Sequence, residues 1–463
     1  MTPWTLADIA DATGGALFDA TGDEVVTTAA IDSRQVAGGA LFVAFRGERT
    51  DGHHHVGDAV ARGATGVLAE RPVGAPAVVV PDTTAALGRL AAAQLRRLPQ
   101  LTRVGVTGSS GKTTTKDLLA VVLASLGPVV APPGSFNNDI GLPLTVLRCD
   151  ADTRVLVLEY GARGIGHIAR LVAIAQPTIS VVLNVGTAHV GEFGTREATA
   201  AAKSELLHGA RVAVINADDA LVSAMPVAPE TQVLRFGTAA AADVRATDIA
   251  TDDRGRASFT VDGRRVALRL VGVHQVHNAL AALAAARAAG VADDDAFAAL
   301  EAAEPASRWR MEVHERSDGV TVVNDAYNAN PESMKAAIST IRAMTRGTGR
   351  RAWAVLAEMG ELGPDSSGHH QEVGRFAAEA GVDRVVAIGA GDSPMVALHV
   401  AAGERSTRVD DIDAALKLLR AELRPGDLVL VKASRSRGLE RLAEALVADA
   451  TGAAGPADER VEL

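Results

Sequence analysis

Apolar and polar positions alternate in three successive rhythms along the chain. Over residues 1–98 a helical spacing at 4–12 precedes short apolar runs at 25–31, 40–44, 66–69 and 77–80, with further helical spacing at 55–62 and 87–98. Pro99 ends the last of these helices and marks a hinge. From 101 to about 303, strand-like runs at 103–106, 129–131, 155–159, 178–184, 212–216 and 232–236 are separated by Ala-rich helical segments. That alternation predicts a mostly parallel sheet with ligands at the carboxyl ends of its strands. One stretch breaks it: runs at 245–249, 257–261 and 265–270, joined through Arg254-Gly255 and Asp262-Gly263, predict an antiparallel excursion. A helix at 279–289 stops at Gly290, and 304–308 reads as a linker. The third rhythm has strands at 320–324, 352–356, 384–388 and 427–431 and helices at 333–344, 369–380, 412–423 and 439–448. The small, polar tail from about 451 is expected to be disordered.

The composition narrows the class. A net charge of −10 with no basic stripe argues against a nucleic-acid partner, so an anionic ligand must be met by local positive groups. Cys149 is the single cysteine, which excludes an intrachain disulfide and fits a reducing compartment. The amino end lacks a basic region followed by an apolar core, and apolar runs are too short or too broken to span a bilayer. A cytoplasmic protein without membrane insertion is expected.

The most informative stretch is Thr107-Gly108-Ser109-Ser110-Gly111-Lys112-Thr113-Thr114, after an apolar strand and before a helix. Small residues let backbone N–H groups close on an anion, and the helix start adds positive potential. Lys112 offers a point charge to terminal phosphates and Thr113 a hydroxyl to Mg²⁺. The spacing departs from the standard phosphate-loop pattern, because Val106 stands where the first glycine belongs. The reading is ATP or a related nucleotide.

Other polar residues cluster at the predicted strand ends. Glu159 closes one strand, Asn184 another, and His189 lies in the loop after it. A carboxylate at that edge is placed to hold Mg²⁺ beside the phosphates, the alternative being a helix cap or structural ion pair. Lys203 reads by itself as a surface partner of Glu197 or Glu205. Asn278 suits either an adenine edge or a cap. Asp32-Ser33-Arg34 offers a hydroxyl and a guanidinium to a phosphate, or is a plain turn. The triplet His53-His54-His55 has no flanking ligand cluster, which favours a surface or helix-entry role over metal.

Taken in order, these motifs resemble those of the Mur ligase family. The modified phosphate loop, Glu159, Asn184 to His189, Lys203-Ser204-Glu205, His277-Asn278, Arg308 and Asp325 all match, and the resemblance runs from residue 1 to about 448. It implies α/β architecture in three domains: a small amino domain over 1–98, a central P-loop ATPase domain over 99–306, and a Rossmann-like carboxyl-terminal domain over 307–463. It also implies that Lys203 carries a carbamate, and that Thr113, Glu159, His189 and this modified lysine place Mg²⁺, with Lys112 catalytic beside them. Asn278, Arg308, Asp325 and Tyr327 are expected to hold ATP together with the phosphate loop.

Asp32-Ser33-Arg34 and Gly47-Glu48-Arg49-Thr50-Asp51-Gly52-His53 resemble an amino domain that holds the UDP part of a substrate, and the resemblance implies that Ser33, Arg34, Asn137 and Asn138 hold the nucleotide-peptide substrate. Asp325-Ala326-Tyr327-Asn328-Ala329-Asn330-Pro331 looks like the dipeptide-adding branch of the family. The third-residue-adding branch would show Asp-Tyr-Ala-His there and an Asp-Asn-Pro motif later, and neither occurs. Two departures stand out: Asp139 where Glu is usual, and Ala433 where Gly is usual. The resemblance thus implies UDP-N-acetylmuramoyl-tripeptide and D-alanyl-D-alanine as substrates, ATP and Mg²⁺ as cofactors, and a monomer. A switch-like ATPase without ligation is the alternative from another class. It leaves Glu159, His189 and Lys203 without a joint purpose.

Overall fold

The computed structural model describes residues 1–47, 50–187 and 190–449. His189 and the Glu48-Arg49 pair lie outside the described residues, as does the tail from 450 onward.

Three sheets organise the chain. In the amino region five strands run in the order Ala16–Phe18, Ala77–Val79, Ala64–Ala69, Ala40–Val43, Thr28–Ala30, antiparallel only at the first pair. The expected helix at 4–12 instead starts at Leu6, because Thr5 caps it by accepting the Asp8 N–H. Trp4–Thr5 forms a strand against Val25–Val26, so the single run expected at 25–31 divides between two sheets. Thr27 is the break. The exposed strand Ala16–Phe18 carries no alternation that periodicity detects.

The central sheet has seven strands, all parallel, in the order Val244–Arg245, Gln232–Gly237, Val212–Asn216, Ile179–Val182, Thr102–Thr107, Val155–Glu159, Val129–Val130. Its middle strands are buried along their whole length, as expected of a sheet covered on both faces. Helix Lys112–Val122 and the Ala-rich helix Gln275–Ala289 share one core, and small side chains let them approach closely. This second helix begins at Gln275, ahead of the expected 279. The antiparallel excursion is present as Thr247–Thr251, Arg256–Val261 and Arg264–Val271. Helix Gly141–Val146 was not expected from the sequence; it carries Gly141 and Pro143 in its first turn, where proline is tolerated.

The third sheet runs Glu312–Glu315, Thr321–Asn324, Leu428–Lys432, Ala352–Ala357, Arg384–Ile388, Ser406–Val409, parallel except at the first pair. Its two faces bury separate cores. Helix Pro331–Thr345 opens with a capping box between Asn330 and Ser333, so the expected loop ends on a designed helix start. Among the described residues, no helix is long and apolar enough to cross a membrane.

Candidate active site

Strand Thr102–Thr107 delivers the loop Gly108–Gly111 to the carboxyl edge of the central sheet, and helix Lys112–Val122 leaves from it. Gly111 has φ +81, and a Cβ there would collide with Asn278 Oδ1, so glycine is required twice over. Thr107 anchors the strand end by donating to Tyr160 O at 2.9 Å. Asn184 latches the loop from the neighbouring strand: its Oδ1 accepts from the N–H groups of Ser109 at 3.0 Å and Ser110 at 2.9 Å. Ser109 Oγ in turn accepts the Gly186 N–H. The half-buried Lys112 folds back and donates from Nζ to Gly108 O at 2.6 Å. Burial pulls its pKa below the ordinary lysine value, and the carboxylate of Glu159 partly offsets this.

Next to the loop lies an oxygen cluster. Thr113 Oγ1 donates to Glu159 Oε2 at 3.0 Å and lies 2.9 Å from Ser135 Oγ. Asn137 Nδ2 donates to the other carboxylate oxygen of Glu159 at 2.8 Å, which fixes the plane of a fully buried acid. A carboxylate and two hydroxyls are hard oxygen donors, the set that Mg²⁺ takes. Asn138, in contrast, spends its Oδ1 on the N–H groups of Ile140 and Gly141.

Lys203 is 2% exposed on helix Arg196–Ser204, which overturns its reading as a surface pair. Glu205 does not meet it. That carboxylate accepts from the N–H groups of Gly166 at 2.6 Å and Ala169 at 2.8 Å, capping helix His167–Ile174. Among the described residues Lys203 has no carboxylate within ion-pair distance. Burial first, and then the positive charge of Lys112, hold its amine well below the ordinary lysine range.

The third domain reaches across to this cluster. Arg310 donates from Nη2 to Thr113 Oγ1 at 2.8 Å and to Ser135 Oγ at 3.4 Å, with its guanidinium 4.2 Å from the centre of the Tyr327 ring. The residues on either side of it, Trp309 at φ +58 and Met311 at φ +50, hold left-handed backbone that side chains other than glycine rarely adopt. Arg308, the expected nucleotide contact, points elsewhere: it is exposed and meets Glu444 at 3.3 Å. Asn330 Nδ2 donates to Ser109 O, and Thr187 donates through its N–H and Oγ1 to Glu332, each at 2.9 Å. Asp325 is held by Lys432 Nζ at 2.6 Å and accepts the Met311 N–H. The buried Asn278 is spent locally, donating to Gln275 Oε1 at 2.7 Å. Thr114 faces a small pocket at the junction of the two domains.

Ser33 and Arg34 remain in the amino domain. Ser33 is buried in a short turn, and Arg34 is tied back to Asp32 through Nε and Nη2 at 3.0 and 2.7 Å. His53 uses both ring nitrogens, with Nδ1 2.6 Å from Asp51 Oδ1 and Nε2 accepting the Glu70 N–H, so its role is to brace that domain. At the unusual Asp139 the shorter acid pairs with His167 at 3.0 Å. Sequence reasoning missed Arg310, Ser135, Asn330 and Lys432. The signal for Arg310 was present, but two arginines flank Trp309 and spacing alone does not say which one the backbone turns inward.

Comparison with known proteins finds matches along nearly the whole chain. Residues 25–103 match the family model described as Mur ligase family, catalytic domain, residues 106–286 the Mur ligase middle domain, and residues 309–435 the Mur ligase, glutamate ligase domain. The chain is 46% identical to the UDP-N-acetylmuramoyl-tripeptide--D-alanyl-D-alanine ligase of Mycobacterium tuberculosis, over 97% of this chain and 99% of that protein. A crystal structure of MurF from Acinetobacter baumannii superposes with a TM-score of 0.87 at 33% identity, over 96% of this chain and 99% of that one. The MurF ligase of Thermotoga maritima in complex with ADP superposes with a TM-score of 0.80 at 31% identity, over 93% and 99%.

Proposed function

The chain belongs to the Mur ligase family, and from that premise we propose that it joins D-alanyl-D-alanine to UDP-N-acetylmuramoyl-tripeptide with consumption of ATP, yielding the UDP-linked pentapeptide precursor of peptidoglycan. The observation that carries the reading is the near-full-length match to the dipeptide-adding ligases, joined to a phosphate loop completed by the third domain through Arg310.

A carboxylate is a poor electrophile. The tripeptide's terminal carboxylate therefore attacks the γ-phosphorus of ATP, giving an acyl phosphate and ADP. The dipeptide amine then adds to the acyl carbon, phosphate leaves with the C–O electron pair, and the amine proton passes to solvent or a nearby base. Lys112 and the N–H groups of Gly108–Gly111 hold the phosphates, while Arg310 offsets charge on the transferring group. Thr113, Glu159, His189 and a carbamylated Lys203 would hold Mg²⁺, with Asn137 orienting the acid. Bound there, Mg²⁺ would supply charge neutralisation for the transferring phosphoryl group. Burial favours the neutral amine of Lys203, the form that adds to CO₂; loss of the proton then leaves a carbamate, which offers oxygen ligands.

Asn278, Asp325 and Tyr327 line the nucleotide side, and Ser33, Arg34 and Asn138 the UDP-peptide side, with Arg308 at the edge of the third domain. We assign residues 1–98 to UDP-substrate binding, 99–306 to ATP and 307–463 to ligation, in a cytoplasmic enzyme acting as a monomer because its own third domain completes the site. The test uses tripeptide labelled with ¹⁸O in its terminal carboxylate. One label found in released phosphate supports the acyl phosphate, and unlabelled phosphate would refute it.

A further inference from the structure

Residues 137–139 hold three different elements at the carboxyl edge of the central sheet. The Asn137 amide takes one oxygen of Glu159, and Asn138 Oδ1 accepts from Ile140 and Gly141 at the start of helix Gly141–Val146. Asp139 reaches the other way, to His167, with 3.0 Å between Oδ2 and Nε2. The chemical steps of ligation make no use of this pair.

His167 is buried and opens helix His167–Ile174. Its second ring nitrogen is occupied too: Nδ1 accepts the Arg163 N–H at 3.2 Å. A bare Nδ1 fixes the tautomer, so Nε2 carries the proton and donates it to Asp139. One imidazole thereby ties loop 131–140 to loop 160–166, which leaves the strand ending at Glu159. The two loops meet again where the Gly161 N–H donates to Asn137 O at 2.9 Å. A Cβ at Gly161 would come within 2.8 Å of Asn137 Oδ1, so that approach requires glycine.

The same helix end sets a further distance. Glu205 accepts from the N–H groups of Gly166 and Ala169, and it follows Lys203 by two residues. Asn137, Glu159 and Lys203 are therefore all held relative to one short stretch, 161–169. Arg170 also approaches Asp139, at 3.6 Å, but its side chain is exposed, and such a pair is worth little. The weight of the link falls on the buried imidazole.

We propose that His167 and Asp139 are a positioning pair for the metal site: the imidazole locks the loop bearing Asn137 against the loop leaving Glu159, and so sets the plane of that carboxylate. The proposal rests on the reading of Glu159 as a Mg²⁺ ligand. Groups that hydrogen-bond a ligand tune metal affinity, and whatever holds those groups acts through them. The effect of His167 must therefore pass through Asn137.

The test uses Mn²⁺ as the probe, with bound metal read by electron paramagnetic resonance at saturating ADP and ADP alone as the blank. Asp139→Ala and His167→Ala should each weaken Mn²⁺ binding about 10-fold, the lower end for loss of a ligand's support. The double variant should bind within about twofold of either single one, because both break one link. Asp139→Asn keeps an acceptor for the Nε2–H and should stay within about threefold of wild type. The Asp139 side chain is 35% exposed, so its variants test the link even where His167→Ala disturbs the helix start. In an Asn137→Ala background, His167→Ala should cost nothing further. The ¹⁵N shifts of the His167 ring should place the proton on Nε2. Unchanged Mn²⁺ binding in both single variants, additive losses in the double one, or an undiminished His167→Ala effect without Asn137 would overturn the pair. So would a proton on Nδ1. Wild-type protein that binds no Mn²⁺ would overturn the metal reading and the pair together. Wild-type protein that binds Mn²⁺ yet makes no amide would overturn the ligase reading and leave the pair standing.

Discussion

Arg310 of the third domain donates a hydrogen bond to Thr113, the first hydroxyl after the phosphate-loop lysine, with 2.8 Å between Nη2 and Oγ1. The contact crosses the junction between the central and third sheets and ends on the oxygen that also donates to Glu159. In the proposed reaction this contact would hold a cation beside the phosphate loop, where negative charge grows during phosphoryl transfer. Replacing Arg310 with Ala should lower kcat/KM for ligation by about 10²–10³-fold, as loss of a preorganised charge donor does. Replacing the exposed Arg308 with Ala should cost less than about threefold, a surface ion pair being worth little. Steady-state kinetics on the two variants checks this, and a larger loss at Arg308 would reverse the assignment.

Asn137 makes a second prediction. Its amide holds one oxygen of Glu159, so its effect should appear in metal affinity. Asn137→Ala should raise the Mg²⁺ concentration for half-maximal activity by about 10–100-fold, with kcat largely recovered at saturating metal. Glu159→Gln, which removes the ligand charge, should not recover. A Mg²⁺ titration of both variants decides.

Lys203 predicts a trade between stability and activity. Its folded pKa lies well below the unfolded value near 10.4. Between those two values the unfolded chain binds the extra proton, so the unmodified lysine destabilises the fold at neutral pH, and that cost fades as pH rises toward the unfolded value. Lys203→Met should therefore unfold at a higher temperature than the bicarbonate-free wild type while losing ligation. Scanning calorimetry with and without bicarbonate measures it. A less stable Met variant would mean the lysine has a structural partner.

Much of this was legible in the sequence, and the reason differs by element. Six of the seven strands of the central sheet announced themselves because buried parallel strands are continuous apolar runs, as in Val155–Glu159, whereas the two-residue strand Val244–Arg245 merged in the sequence with the antiparallel excursion that follows it. The phosphate loop was readable because its chemistry depends on consecutive residues. Helix Gly141–Val146 was not, since burial on all sides overrides the weak local signal of Gly141 and Pro143. Arg310 was hidden for another reason: the left-handed residues around it decide its direction, and neither Trp309 nor Met311 advertises such backbone. Glu205, which helix spacing offered as one partner for Lys203, instead caps a different helix, and spacing alone cannot foresee that.

Cys149 offers an internal reporter. The thiol is fully buried, and burial pushes its pKa up to about 12. Native protein at pH 8 should resist thiol-modifying reagents, and labelling should track global unfolding. Rapid labelling without denaturant would show that the core around it opens locally.

The central claim is dipeptide ligation, and acceptor-dependent phosphate release tests it most directly. Protein, ATP, Mg²⁺ and UDP-N-acetylmuramoyl-tripeptide are combined with D-alanyl-D-alanine, with diaminopimelate, or with no acceptor, and products are weighed by mass spectrometry. Sustained release only with D-alanyl-D-alanine, matched mole for mole by UDP-linked pentapeptide, is the predicted result. Equal release in all three mixtures, with no new amide, would contradict it and leave an ATPase in place of a ligase.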